Sequence, residues 1–396
     1  MDMPYDDIVL EIFSWLPAKS LYRFKCVNKF CNTISSPENS YFNQKQSHNA
    51  LLRDDCCFFL QPNWMQRHGG KIEFHHLSSK NTTSGASHGF FQFLKHYRPA
   101  CRIIASSNGL ILGRSDIELF ICNPVTQSWL PIQTPEYMEK YPDDDLMVVL
   151  DFNVEDSKDF MLFLFEVQGE WGSSYLHVKL YSVKERMWKS VEAKFFYGGR
   201  SLRFDTHVYY RKALHFISDC FPCLSKKSPY FRPYIMAYTI GDGSSRMIRI
   251  PKEARRGSHD STCQMRIYKW GKPTSSDESI CLVRLRKNVF TIWVLADYEI
   301  GKWRRVLKIR VKAMGVKEED HVHVTGFIVM NGDQLIFATE MKTYGYGLSH
   351  ENFMKFEEIC EHGFERNVTN LSFIAYSDTL HPCGHNAVTL PLIQQD

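Results

Sequence analysis

The chain has 396 residues, enough for two or three ordinary domains, although a closed all-β architecture absorbs more than about 300 residues as one unit. Its 48 basic and 44 acidic residues leave a formal charge of +4 spread along the sequence, so composition supplies no long-range field that would gather nucleic acid. The opening MDMPYDDIVLEIF is acidic where a secretory signal is positive, and no apolar stretch approaches the roughly 20 residues that cross a bilayer. No membrane association is expected, and the location expected is the nucleus, the cytoplasm or both.

The first forty residues carry helical spacing. Ile8, Val9, Ile12, Phe13 and Leu16 form one wide apolar stripe between Asp6 and Leu16. Pro4 precedes it, Asp6 and Asp7 favour its positive end, and Pro17 stops it. A second helix is predicted over 18–26, presenting Leu21 and Phe24, and a third over 29–35, presenting Phe30 and Ile34 before Pro37. Three such helices enclose too little core to be stable alone. Their remaining apolar face needs cover, from a partner or from the rest of this chain, and the residues do not choose between the two.

Residues 3–37, MPYDDIVLEIFSWLPAKSLYRFKCVNKFCNTISSP, resemble the F-box of the large plant family of F-box proteins. The matching segments are Pro4 with Asp7-Ile8-Val9, the Leu16-Pro17-Ala18-Lys19-Ser20-Leu21 turn, and Arg23 to Val27 followed by Lys29. The resemblance implies docking through apolar contacts onto an S-phase-kinase-associated adaptor, and through it onto a cullin. It assigns adaptor contacts to Pro4, Ile8, Ile12, Leu16, Pro17, Leu21, Val27 and Cys31. The family usually has tryptophan where this chain has Cys31, and loss of an indole implies a smaller contact area.

Beyond about residue 56 the pattern changes to short apolar and aromatic runs broken by Gly, Pro, Asn and Ser. CCFFL (56–60), RIIAS (102–106), LFIC (119–122), HVKLYSV (177–183), ALHFI (213–217), YIMAYTI (234–240), FTIWVL (290–295) and QLIFAT (334–339) read as strands. An aromatic fraction of 14% suits sheet packing. Few intervening segments suit crossover helices, which argues against a parallel α/β sheet.

Four hairpins recur. They run from Phe120 to Trp129 through Asn-Pro-Val-Thr, from Tyr181 to Trp188, from Tyr238 to Ile250 through Gly241-Asp242-Gly243, and from Trp293 to Trp303. Trp129, Trp188, Met247 and Trp303 stand 59, 59 and 56 residues apart. A repeated unit that cannot bury its own faces stacks on its neighbours, and radial closure removes sheet edges. The fold class expected is mainly β: a three-helix N-terminal domain over 1–42, a linker or short connecting helix over 43–53, and an antiparallel domain over 54–392. The last is predicted as an irregular β-propeller, with packed sheets as the alternative. The segment 78–89, SSKNTTSGASHG, reads as a loop inserted within it.

Ser107 to Ile111 followed by Cys122 to Thr126 is similar to the opening of the F-box-associated domain of the same plant family. Tyr181-Ser182-Val183 with Trp188 to Val191, then Ala213 to Phe216, then Ile292 to Leu295 with Tyr298 and Trp303, continue the likeness in order. The resemblance implies a kelch-like interaction module that recruits a target, although the double-glycine kelch signature is absent.

No HExxH, phosphate-binding GxxxxGK or GxSxG sequence occurs, so no catalytic residue, cofactor or metal is assigned. Cys220 and Cys223 have the spacing of a redox pair or half a zinc site, but loop-like sequence follows them. His381, Cys383 and His385 are crowded without the usual pair spacing of structural zinc. The 12 cysteines, scattered over the chain, read mostly as reduced core thiols. The basic stretches 246–256 and 302–312 read first as solvated faces, and second as a reader of acidic or phosphorylated targets. Trp64, Trp270, Tyr344 and Tyr346 lie near loop-like sequence, where an anchor for a partner and a buried role are both open. The expected function is substrate recognition for a Skp-cullin-F-box ubiquitin ligase with an unknown target. The alternative is a non-degradative interaction module or competitor.

Overall fold

The computed structural model describes residues 4–27, 29–34, 36, 39–53, 57–63, 71–77, 101–115, 118–126, 128–136, 147–151, 160–167, 174–220, 225–272, 277–318, 322–349, 355–365, 368, 370–381, 383 and 388–389. The expected loop at 78–89 lies outside them.

Four helices come first: α1 (Pro4–Ser14), α2 (Ala18–Phe24), α3 (Lys29–Ile34) and α4 (Ser40–Leu51). Proline is tolerated at the first position of α1 because that N–H has no intrahelical acceptor. Pro17, at φ −57° and ψ 141°, separates α1 from α2. Of the two readings of 43–53, the helix is present. Asn39 caps α4 by accepting from Phe42 N at 3.1 Å. The helix buries Phe42, Asn43, Gln46, Ser47, Asn49 and Ala50, so it is a packing element rather than a tether.

The strands then make six antiparallel sheets. The first holds β1 (Cys57–Pro62) and β2 (Glu73–His76). The second runs β3 (Arg102–Ser107), β4 (Leu110–Ser115), β5 (Glu118–Asn123) and β6 (Ser128–Ile132), and the third β7 (Val148–Asp151), β8 (Met161–Glu166), β9 (Tyr175–Ser182) and β10 (Met187–Ser190), with β11 (Phe195–Phe196) beside β9. The fourth comprises β12 (Val208–Tyr210), β13 (Ala213–Ile217), β14 (Tyr234–Thr239) and β15 (Ser245–Arg249), followed by the one-turn helix α5 (Lys252–Arg255). The fifth comprises β16 (Gln264–Trp270), β17 (Ser279–Arg286), β18 (Val289–Asp297) and β19 (Lys302–Arg310). The sixth comprises β20 (Gly326–Met330), β21 (Gln334–Ala338), β22 (Lys342–Gly347) and β23 (Phe356–Glu361). Finally β24 (Leu371–Tyr376) returns to pair with β1, and β25 (Val388–Thr389) adds to β6.

The molecule is therefore a six-bladed propeller whose ring is closed by pairing β1 from the N-terminal side with β24 from the C-terminal side, in a register that puts Cys57 opposite Tyr376. Successive apolar clusters lie between neighbouring blades. Each sheet thus has both faces covered. That is why β17 is buried at seven consecutive positions instead of alternating.

All four hairpins read from the sequence are the outer pair of a blade: β5–β6, β9–β10, β14–β15 and β18–β19. Their repeated tryptophan has a physical role. Trp188 Nε1 donates to Gln133 O of the preceding blade at 2.7 Å, and Trp303 Nε1 to Arg249 O at 2.9 Å. The indole staples one blade to the last. The repeat is longer than the usual 40 to 50 residues or so because connections such as 218–233 are long.

The helices sit on the ends of the first two blades. Ala18, Leu21, Ile34 and Phe42 form a core with Val125 and Leu380. Around it, Asn108 Nδ2 donates to Ser47 Oγ at 2.8 Å, and Gln46 Oε1 accepts from Leu380 N at 2.9 Å. Asn123 organises the seat. Its Oδ1 accepts from Val125 N at 2.9 Å, making an Asx-turn, and its Nδ2 donates to Thr379 O at 3.0 Å and His381 O at 2.8 Å. Gly109 has φ +76°, and a Cβ there would stand 2.2 Å from Thr379 Oγ1, so only glycine fits this turn.

Two predictions follow from these joints. Asn123→Ala removes the donor shared by two buried carbonyls and should cost about 2–6 kcal/mol in denaturant unfolding, at about 1–3 kcal/mol for each lost bond. The second concerns ring closure. Glu73 on β2 accepts from Gly363 N at 2.9 Å, beyond β23, and also from His75 Nε2 at 2.9 Å and Lys71 Nζ at 2.7 Å. Burial alone would raise the Glu73 carboxyl, and these bonds reverse it, holding it at about 2. Burial alone would lower His75, and its bonds to Cys360 and Glu73 lift it to about 9. A depressed carboxyl stabilises above its unfolded value of 4.5 and loses that as pH falls toward 2. A raised imidazole stabilises below 6.5 and loses that as pH rises through 9. Melting temperature should therefore fall as pH rises from 6.5 to 9, and Glu73→Gln should flatten that slope.

Candidate docking face on the N-terminal helices

The apolar stripe of α1 divides into two. Val9, Leu10, Phe13 and Leu16 pack toward the inner core with Leu21 and Phe42, and the ring of Phe13 stacks on Phe24 at 5.4 Å. Ile8 and Ile12 point outward at 57% and 56% exposure, one helical turn apart. Trp15, Phe24, Val27, Phe30 and Tyr41 join them on the outside. Among the described residues, seven of the eleven exposed large apolar side chains lie within these first 41 positions. The other four are dispersed, so the N-terminal helices stand out as the region richest in exposed apolar side chains.

Polar anchors fix that face. Asn49 Nδ2 donates to Ser14 Oγ at 2.8 Å, in a buried contact between α4 and α1. Gln46 Nε2 donates to Leu16 O and Arg53 to Trp15 O, both at 3.3 Å, capping carbonyls at the end of α1. Glu11 pairs with Lys45, and the Lys45 hydrogen bond holds its carboxyl below the usual range. These contacts tie the end of α1 to α4, which is itself bonded to the propeller through Gln46 and Ser47.

The residues assigned to adaptor contact divide accordingly. Ile8, Ile12, Pro17 and Val27 are exposed, Pro4 opens α1, and Leu16 is half-buried. Leu21 at 1% and Cys31 at 6% exposure are turned inward in the free chain, where Leu21 fills the seat against Val125 and Leu380. The thiol in place of the usual indole therefore lies in the interior of the free chain. Trp15 is exposed as well, and Ile8, Ile12 and Trp15 have the i, i+4, i+7 spacing of one helical face.

The other candidate groups are placed as follows. Tyr344 and Tyr346 are buried within β22, and Trp270 lies in β16 against the core, so none is a loop anchor. Trp64 lies outside the described residues. Cys220 is buried and unbridged, while Cys223 lies outside. His381 and Cys383 are buried and His385 lies outside; among the described residues no group of three or more His, Cys, Asp or Glu side chains is placed to hold a metal. In the basic stretches, Arg246 pairs with Glu299, and Arg305 and Lys308 pair with Glu253. No helix among the described residues is long and apolar enough to cross a membrane.

Comparison with known proteins agrees with this arrangement. The F-box domain profile matches residues 2–43, and the profile described as "F-box protein At3g26010-like, beta-propeller" matches residues 57–325. The chain is 24% identical over 324 residues to F-box protein CPR1 of Arabidopsis thaliana, covering 77% of this chain and 72% of that one. It is also 24% identical over 332 residues to F-box protein At5g49610 of the same plant, covering 78% and 79%. A helical F-box seated on a closed propeller, with both parts matched in order, means that the chain belongs to the family of F-box proteins with an At3g26010-like beta-propeller.

Proposed function

We propose that the protein is the substrate-recognition subunit of a Skp-cullin-F-box ubiquitin ligase. The outer faces of α1, α2 and α3 dock on the S-phase-kinase-associated adaptor, and the propeller holds the target. The observation that carries this reading is the concentration of exposed large apolar side chains, Ile8, Ile12, Trp15, Val27 and Phe30 among them, on the N-terminal helices and their connections. Burying each aliphatic side chain would contribute roughly 1.5–3 kcal/mol, enough for several of them to sustain a stable complex. In this reading bond making belongs to other subunits. The propeller raises the effective concentration of a target lysine near the charged ubiquitin carrier.

The test is adaptor binding by the full chain. Ile8→Asp with Ile12→Asp should weaken it by at least about a hundredfold, since each lost burial is worth about tenfold or more. The melting temperature should stay near wild type, because both side chains are exposed. Leu16→Asp is unsuitable, since Leu16 packs against the inner core. Wild-type protein that fails to bind the adaptor, or a double variant that binds as well as wild type, would refute the proposal.

A further inference from the structure

In the fourth blade, basic side chains that have no acidic partner among the described residues converge on a groove. The connection from β13 to β14 carries Lys226, Phe231 and Arg232, the end of β15 carries Met247 and Arg249, and α5 carries Arg255; all six line a cleft of about 350 Å³. Nearby cations are neutralised in place: Arg246 by Glu299, Arg305 and Lys308 by Glu253, Arg286 by Asp260. None of Lys226, Arg232, Arg249 and Arg255 forms an ion pair among the described residues, and no carboxylate lines the cleft. The basic stretch read from the sequence is thus sorted by the fold, and its unneutralised members meet Lys226 and Arg232 from a different connection.

The groove is built, not draped. Arg200 is fully buried, and it donates to Phe231 O at 2.8 Å and to Asp219 O at 2.7 Å, so one side chain holds both ends of the connection. Tyr234 OH donates to Tyr197 O at 2.6 Å behind it. Arg232 lies 5.3 Å from the Phe231 ring and 3.3 Å from His259 Nε2, which fixes its direction. Phe231 and Met247 give the floor an apolar component.

Its position also suits a receptor. The helices are seated on the β3–β4 turn at Asn108, the β5–β6 turn at Asn123 and the chain after β24. Those turns lie where first meets second strand and third meets fourth, at one end of the blades. The groove lies where second connects to third, and beyond the fourth, at the other end. Adaptor and cleft are therefore on opposite faces of the propeller.

We propose that this groove is the target-reading site and that its ligand is a protein segment bearing clustered anionic oxygens, either carboxylates or phosphoryl groups. Four unpaired cations around an apolar floor complement an extended acidic peptide, with arginines matching paired oxygens and Phe231 and Met247 contacting side-chain methylenes. The assignment of a target rests on the ligase reading; the binding itself does not.

Fluorescence anisotropy of the full chain tests it with four probes: a labelled glutamate-rich peptide, its phosphoserine counterpart, a glutamine analogue and an oligouridine. The two anionic peptides should bind and the glutamine analogue should not, with affinity falling as salt is added. Arg232→Glu with Arg249→Glu should weaken binding about a hundredfold, at about tenfold per charge-assisted contact. The milder Arg232→Gln with Arg249→Gln should also weaken it, while Lys302→Glu, outside the cleft, should not. The stronger of the two anionic peptides identifies the source of the oxygens. Absence of binding by both anionic peptides, equal binding of the glutamine analogue, tighter binding of oligouridine, or undiminished binding by both Arg232/Arg249 double variants would overturn the proposal. The Ile8→Asp, Ile12→Asp protein should keep peptide binding while losing the adaptor, so failure of the groove and failure of the ligase reading are separately visible.

Discussion

The pairing of β24 with β1 is the constraint on which the rest of the structure depends. Six sheets with apolar residues on both faces have no stable arrangement in a row, because the end sheets would each leave a face and an edge open. Joining the two ends of the propeller chain in one blade removes that defect. An apolar cluster then lies between each pair of neighbouring blades around the ring. The Glu73 clasp reinforces the seam, tying the outer strand of the first blade to the chain that leaves the last.

Closure also creates the seat for the helices. Thr379 and Leu380 follow β24, whereas Asn108 and Asn123 belong to the second blade. They meet only because β24 lies beside β3 in the closed ring. Asn123 uses both ends of its amide to hold these segments together, and Gly109 lets the β3–β4 turn approach Thr379. A helical cluster too small to be stable on its own thus gains its missing inner cover from Val125 and Leu380 while keeping its outer apolar face free. The chain thus supplies cover on one side and leaves the other side exposed.

Charge is divided in a similar way between neutralised and available groups. Glu253 takes up Arg305 and Lys308, and Glu299 takes up Arg246 and Arg211. These pairs are exposed and each is worth little to stability. Their larger effect is to neutralise cations of the fourth and fifth blades that lie outside the cleft. Buried Arg200 has a different role: its guanidinium satisfies backbone carbonyls that a long internal connection would otherwise leave without donors.

The sequence by itself determined what depends on local pattern. Helical spacing marked α1 to α3, and apolar runs bounded by turn residues marked the strands. The recurrence of Trp129, Trp188 and Trp303 marked the outer hairpins, because each blade repeats the same local geometry. Absence of local chemistry motifs was equally legible. Tertiary structure alone decided the number of blades, the partner of β1, the inward direction of Leu21 and Cys31, and the burial of Tyr344 and Tyr346. It also decided which arginines remain unpaired. The reason is physical: periodicity reports the conformation of consecutive residues, whereas burial and charge neutralisation depend on groups brought together from distant parts of the chain, and these are set only once the ring has closed.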